Sequence, residues 1–373
     1  MKIAQVAPLI ESVPPRLYGG TERVVSYLSE ELVRQGHDVT LFASGDSVTS
    51  ARLVPCTGEA IRLNTAIKDH LPHYMIMLDT LRRRSHLFDI LHFHIDAYQM
   101  PLFRDLSNKT LTTLHGRQDL PDLVPLYRAF SEMPLVSISN AQREPIADAN
   151  FAKTIHHGLP LDLFAPSFRP RGGYVAFLGR ISREKRPDRA IAIARALGLP
   201  LKIAAKIDKV DEAYFREEIA PLLNQPEVEY VGEISDRDKG KFLGDALALL
   251  FPIDWPEPFG LVMIEAMACG TPVLGFRCGS VPEIIDDRIT GRVVATIDEA
   301  IRVAPEVICL DRRAVRRRFE ARFSATRMAS EYVDVYRLMS RGAKTAVLGH
   351  AAMELGSNVV ALQRKNGEQR HAT

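Results

Sequence analysis

The chain has 373 residues, 46% of them apolar and 25% charged, with 48 Lys plus Arg against 46 Asp plus Glu. At about 150 residues per domain this suits two to three domains. The apolar share excludes whole-chain disorder, and the balanced charge argues against a dedicated nucleic-acid binder.

The first element is a strand over Ile3 to Val6. Its flanks lack the long apolar region and small-residue cleavage site of a signal peptide. No later run reaches the ~18 apolar residues of a membrane span. After the pair Gly19-Gly20, Val24, Val25, Leu28, Leu32 and Val33 recur at helical spacing, which predicts a helix over Thr21 to Gln35. Thr21 is its expected cap and Gly36 its expected stop. A strand over Asp38 to Ala43 completes a βαβ unit, hence a parallel sheet with a right-handed crossover. Later strands are expected over Asp89 to Phe93, Thr110 to Leu114 and Leu135 to Ser139.

Turn formers crowd the stretch from Leu159 to Gly173, which reads as a linker. A second alternation follows. Strands are expected over Tyr174 to Leu178, Leu201 to Ala205, Val228 to Val231, Ala246 to Phe251 and Pro272 to Phe276. Helices are expected over Asp188 to Leu197, Glu212 to Leu223, Asp236 to Leu243 and Val262 to Ala268, with a last one over Met328 to Met339. Two α/β halves thus stand in tandem, and ligands should bind in the crevice at their strand C-termini. The domains expected are 1–165, 166–325 and a terminal helix with a disordered tail over 326–373.

In Glu257-Pro258-Phe259-Gly260-Leu261, a turn leads directly into a helix whose free amides suit an anionic group. Glu265 follows eight residues after Glu257, and a carboxylate accepts two hydroxyls of a vicinal diol well. A buried core helix accounts for the apolar residues here but not for a Glu among them. In Leu178-Gly179-Arg180 to Lys185-Arg186-Pro187, basic groups follow a strand and precede a helix, a placement suited to a diphosphate; taken alone, a solvated loop is the plainer reading. Gly19 and Gly20 can bring backbone close to a ligand or make an ordinary turn. The dinucleotide pattern G-x-G-x-x-G is absent from that place. His92 and His94 share one strand face, with Asp96 beyond them and His115 at the end of the next strand. Nothing nearby completes a metal set. Asp236-Arg237-Asp238 sits at a helix start and reads as capping.

The stretch from Glu257 to Glu265 closely resembles the E-x7-E signature of retaining glycosyltransferases of the GT-B fold, glycosyltransferase family 4. The resemblance covers about residues 1 to 340. It implies two Rossmann-like domains facing a central cleft, the first on the acceptor side and the second on the donor side. It also implies transfer from a nucleotide-diphosphate sugar, UDP-linked by preference, with retention of configuration. No metal and no further cofactor are expected.

By this resemblance Glu257 contacts the donor sugar and Glu265 the ribose. Arg180 and Lys185 match the two phosphate ligands of G-R-x-x-x-x-K-G, where Arg186 replaces the last glycine. The amides around Phe259, Gly260 and Leu261, with the Gly19-Gly20 loop, approach the sugar and phosphates. His115 resembles the position beside the donor sugar, and His94 and Asp96 line the cleft on the acceptor side. Ser139, Asn140 and Gly158 are expected to be structural, and the loop Gly279 to Glu283 to lie near the base.

Two basic clusters, Arg82 to Arg84 and Arg312, Arg313, Arg316, Arg317 and Arg318, read as solvated faces open to anionic lipid. The scattered cysteines 56, 269, 278 and 309 fit reduced thiols. The expected setting is therefore the cytoplasm, with peripheral contact at the inner membrane face open to the protein. The partners expected are a nucleotide sugar and an acceptor of glycan, lipid-linked or small-molecule type, without nucleic acid. Competing readings are a nucleotide-sugar isomerase or epimerase of the same fold, a NAD-dependent oxidoreductase and an inert sugar-nucleotide binder.

Overall fold

Short apolar strands buried on both faces require helices on both sides, and the chain supplies them twice. A computed structural model describes residues 1–16 and 19–341. The tail expected to be disordered lies outside the described residues.

The first sheet contains β1 (Lys2–Val6), β2 (Asp38–Ser44), β3 (Arg52–Thr57), β4 (Ile90–Phe93), β5 (Thr110–Thr113), β6 (Leu135–Ser137) and β7 (Phe151–Thr154). They run parallel in the order β3-β2-β1-β4-β5-β6-β7. The second contains β8 (Val175–Arg180), β9 (Leu201–Lys206), β10 (Val228–Gly232), β11 (Leu249–Phe251), β12 (Val273–Phe276) and β13 (Gly291–Val294). Its order is β10-β9-β8-β11-β12-β13, again parallel. Each order reverses once, at β1/β4 and at β8/β11, and such switch points open a crevice beyond the strand ends.

Helix α1 (Gly20–Arg34) packs Val24, Val25, Leu28 and Leu32 onto the first sheet. Gly36 ends it at φ 83°, where its amide reaches the Val33 carbonyl and that of His37 the Leu32 carbonyl. The expected Thr21 cap is not found. Gly19 stands at the cap position, no side chain caps the helix, and Thr21 lies inside its first turn. The second sheet carries α2 (Pro187–Leu197), α3 (Asp236–Gly244) and α4 (Leu261–Ala268). The helix expected over 212–223 breaks up into an α turn, a π turn and a 3-10 turn in succession.

Helix α5 (Arg312–Arg322) belongs to the second half, and α6 (residues 325–341) returns to the first. Met328, Tyr332, Val333 and Tyr336 of α6 are buried in one core with Ile3, Leu28 and Leu41. Burying each large apolar side chain contributes roughly 1.5–3 kcal/mol, so α6 is fixed to the first half. The two chain crossings lie side by side: the Leu159 amide donates to the Phe323 carbonyl, and the Ala325 amide to that of Leu159. A Cβ on Gly158 would stand 2.3 Å from the Ser324 carbonyl oxygen, which makes this glycine structural, as expected.

The expectation of a wholly solvated arginine face on α5 is corrected. Arg312 is buried and donates to the carbonyls of Ser167, Ala246 and Gly244. Burial pushes its guanidinium down to about 10. Arg316 is also buried, on the carbonyls of Phe164, Ala268 and Leu161. Both tie the linker to the second half, while Arg313, Arg317 and Arg318 remain exposed.

Candidate active site

Between the switch points lies a cleft of about 440 Å³, lined by residues of both halves. Its walls include Gly19, Gly20, His115, Arg180, Lys185, Glu257, Phe259, Gly260, Leu261 and Glu265, which brings together every expected catalytic and donor-contacting residue. His94 and Asp96 line an adjoining cavity on the first half, and His115 borders both.

Two helix N-termini face each other across the cleft. That of α1 follows Gly19, that of α4 follows Gly260, and neither is capped by a side chain. A Cβ on Gly20 would stand 3.5 Å from the Leu261 side chain, which measures how closely they approach. Gly260 turns at φ 79°, and a Cβ there would come within 2.7 Å of the Met263 methyl. Only glycine makes this turn without strain, and the turn is what aims α4. Two positive dipole ends so placed suit an anion.

Side-chain charges surround this point in pairs. Lys185 Nζ donates to Glu257 Oε2, which also accepts from Trp255 Nε1 at 3.0 Å. The same ammonium sits 4.9 Å from the centroid of the Trp255 ring. Lys239 Nζ donates to Glu265 Oε1 at 2.7 Å and lies 3.1 Å from Asp236. Asp236 pairs in turn with Arg23 of α1, across the cleft. The D-x-D at the start of α3 therefore does more than favour a helix end: its first carboxylate joins the two halves. Arg180 is held by Glu184 at 3.3 Å and by Asp208 and Asp211 at 3.6 Å each. Glu11 is paired with Arg62 at 2.8 Å, and burial pushes the carboxyls of Glu11 and Glu22 upward.

Arg186 takes the left-handed conformation, φ 52°, at the position where a glycine would turn freely. Its guanidinium bonds Asp188 at 2.7 Å and Asp254 at 2.8 Å, which holds the turn in place.

Beyond a charged edge of Glu11, Glu22, Arg23 and Arg62, the first half meets the cleft with neutral groups. His115 Nε2 is 2.8 Å from His94 Nδ1, and His94 Nε2 is 2.8 Å from Gln5 Oε1. Gln5 Nε2 donates to the Tyr336 hydroxyl, which lies 2.7 Å from His92 Nδ1; His92 Nε2 reaches Thr113, and Thr113 reaches Tyr332. With the Gln5 amide so placed, its oxygen accepts from His94 Nε2–H. His94 Nδ1 then accepts from His115 Nε2–H, which leaves His115 Nδ1 as a bare acceptor. That nitrogen is buried and has no partner among the described residues. Burial holds His115 down to about 3 and keeps His92, His94 and His157 well below the usual imidazole range. His157 stacks on His115 at 5.3 Å and meets the Phe259 ring edge-on at 4.8 Å.

Several residues lie outside the sequence reading: Arg23, Lys239 and His157 in the cleft wall, and Trp255, Gln5 and Tyr336 bonded behind it. The one visible signal was His157, which stands inside a signpost otherwise read as structural. The loop Gly279 to Glu283 stands behind the cleft wall, where the Ser280 amide donates to the Glu257 carbonyl at 3.0 Å. Glu283 accepts from the amides of Asn140 at 2.8 Å and Ala141 at 2.7 Å, a clamp between the halves. Ser139 caps the same short helix through the Gln142 amide, a structural role as expected.

Residues 18–197 match the sequence profile of Glycosyltransferase Family 4, and residues 163–308 that of Glycosyl transferases group 1. The chain belongs to family 4 of the GT-B glycosyltransferases. It is an enzyme that transfers sugars. A D-inositol 3-phosphate glycosyltransferase of Saccharomonospora viridis is 29% identical, covering 86% of this chain and 89% of the relative. Among solved structures, a glycosyltransferase involved in avilamycin A biosynthesis superposes with TM-score 0.69 at 24% identity, over 92% of this chain and 98% of that one. Anabaena HepE in complex with UDP and glucose superposes with TM-score 0.67 at 15% identity, over 90% and 98%. Among the described residues of this glycosyltransferase, no helix is long and apolar enough to cross a membrane.

Proposed function

We propose that this glycosyltransferase moves a sugar from a nucleotide-diphosphate donor, UDP-linked by preference, to an acceptor hydroxyl, with retention and without a metal. The observation that carries the reading is the pair of uncapped helix N-termini facing each other beside Lys185 and Arg180. Such preorganised positive ends stabilise a departing diphosphate without reorganising as charge develops.

In this reading the bond from the anomeric carbon to the phosphate oxygen breaks as positive charge grows on the sugar. The acceptor oxygen bonds to that carbon, and its proton passes to the departing phosphate. Glu257 orients the sugar hydroxyls and Glu265 the ribose. Lys185 moves from Glu257 toward the diphosphate as the donor binds. His115 Nδ1 accepts from a sugar hydroxyl. The likeness to a structure solved with UDP supports the choice of base, and the free thiols of Cys56, Cys269, Cys278 and Cys309 suit a reducing compartment.

The test is a panel of nucleotide sugars scored by nucleoside-diphosphate release, with and without chelator. Release from a UDP-sugar in chelator is expected. Activity restored only by a divalent cation would reject the metal-free reading. Conversion of donor to an isomer, with no nucleoside diphosphate released, would reject transfer.

A further inference from the structure

The cavity next to the cleft has a chemistry of its own. It encloses about 330 Å³ and meets the donor cleft at His115. One wall is aromatic: the Tyr74 and Tyr98 rings lie 5.2 Å apart, and His70 packs edge-on to Tyr74 at 5.9 Å. The Tyr74 hydroxyl accepts from the Leu9 amide at 3.0 Å, which leaves its own proton to donate.

Asp96 closes the other side. It follows β4 in the left-handed conformation, φ 54°, which is uncommon for a residue with a side chain. Strain of this kind persists only where the surroundings enforce it. Here the Gln99 amide donates to the Asp96 carbonyl at 2.9 Å and to Thr112 of β5 at 2.7 Å, anchoring the turn to the sheet. The Asp96 side chain is exposed at the cavity wall, and its carboxylate has no hydrogen-bond or ion-pair partner among the described residues. No Lys or Arg lines the cavity among the described residues. The imidazoles of His94 and His115 are kept neutral, so neither offers a cation.

We propose that this cavity is read by Asp96 and takes an uncharged, hydroxyl-rich acceptor, turning away acceptors that carry a phosphate; the proposal rests on the glycosyl-transfer reading. A carboxylate accepts from hydroxyls, and the ring faces of Tyr74 and Tyr98 cover the apolar face of a sugar. A phosphate brought beside an unpaired carboxylate meets a like charge, with no Lys or Arg of the cavity wall to offset it.

The test is a binding comparison that needs no donor and no turnover. The full chain is titrated with neutral monosaccharides, disaccharides and inositols, and with their phosphate esters, followed by saturation-transfer NMR of the ligand. At least one neutral polyol is expected to bind, about tenfold or more tightly than its ester. Asp96→Asn keeps the side-chain shape and tolerates the left-handed backbone. It should weaken the neutral polyol several-fold and narrow the preference to within about threefold. An ester that binds as well as its parent sugar, a panel in which no neutral polyol binds, or an unchanged preference in Asp96→Asn would each overturn the proposal. Failure of every donor in the release assay counts instead against glycosyl transfer, because binding is read separately.

Discussion

The two walls of the cleft solve the problem of buried polarity in opposite ways. The second half uses full charges in pairs, Lys185 with Glu257 and Lys239 with Glu265. The first half has a charged edge at Glu11, Arg62 and Arg23, but around His115 it uses neutral groups in a chain, from His115 through His94 and Gln5 to Tyr336 and His92. A paired charge can exchange its partner for an incoming diphosphate at little net desolvation. A neutral chain cannot, but it fixes the direction of each hydrogen bond and so presents one bare nitrogen at a set place. The donor wall is thus built to change partners and the acceptor wall to hold still.

The strongest way to break this comparison is to remove each glutamate. Glu257→Ala should lower turnover about 100-fold or more, the scale for losing a group that acts mainly in the transition state. It should also leave nucleoside-diphosphate affinity unchanged or a few-fold tighter, because Lys185 loses its competing partner. Glu265→Ala should weaken nucleoside diphosphate and full donor alike, by about 10-fold to 100-fold, as expected for a lost charge-assisted contact of about 1.5–3 kcal/mol. Steady-state kinetics with calorimetry on both variants separates the roles; equal effects on nucleoside-diphosphate binding would merge them.

Acid should find the neutral wall first. His92, His94, His115 and His157 are all held below the ordinary imidazole value of about 6.5 by burial. The unfolded chain takes up protons as pH falls through that value, while the folded chain does not. Stability is therefore complete above about pH 6.5 and is lost progressively below it, by at most about 1.4 kcal/mol per pH unit for each histidine. Thermal melts from pH 7 to pH 5 should show this slope, and His157→Asn should make it shallower. A melting temperature flat over that range would contradict the neutral chain.

A smaller effect is expected at Arg186, beside the charged wall. Arg186→Ala keeps the left-handed backbone and loses the contacts to Asp188 and Asp254, so it should destabilise by about 1–2 kcal/mol. Arg186→Gly relieves the backbone and should recover about 1 kcal/mol of that loss, read by denaturant melts. Equal losses in the two variants would remove the strain from the account.

How far this was legible in the chain varies with burial. The central strands β1, β2, β4, β8, β9 and β12 carry apolar runs, and each was expected within a residue or two of where it lies. The strands that went unpredicted, β3, β7 and β13, are all at sheet edges and half-exposed, and β3 contains a proline. The helix Ile297–Ile308 was also missed: Ala300, Ile301, Ala304, Val307 and Ile308 recur at helical spacing, but Pro305 inside it argues against a helix. The donor residues were visible because Glu257 and Glu265 share one turn and helix, and Arg180 and Lys185 one loop. Their partners were not: Arg23 meets Asp236 and His92 meets Tyr336 only after more than two hundred intervening residues have folded. No local spacing carries such pairings.

The central claim is that a diphosphate sits between the two uncapped helix ends, held by Lys185. Calorimetric titration of the full chain with UDP in the presence of chelator, in wild type and Lys185→Ala, tests it most directly. The account predicts one site per chain in wild type and a Kd raised about 10-fold to 100-fold in the variant, the loss of one charge-assisted hydrogen bond. Equal affinity in the two proteins, or binding that requires a divalent cation, would contradict it.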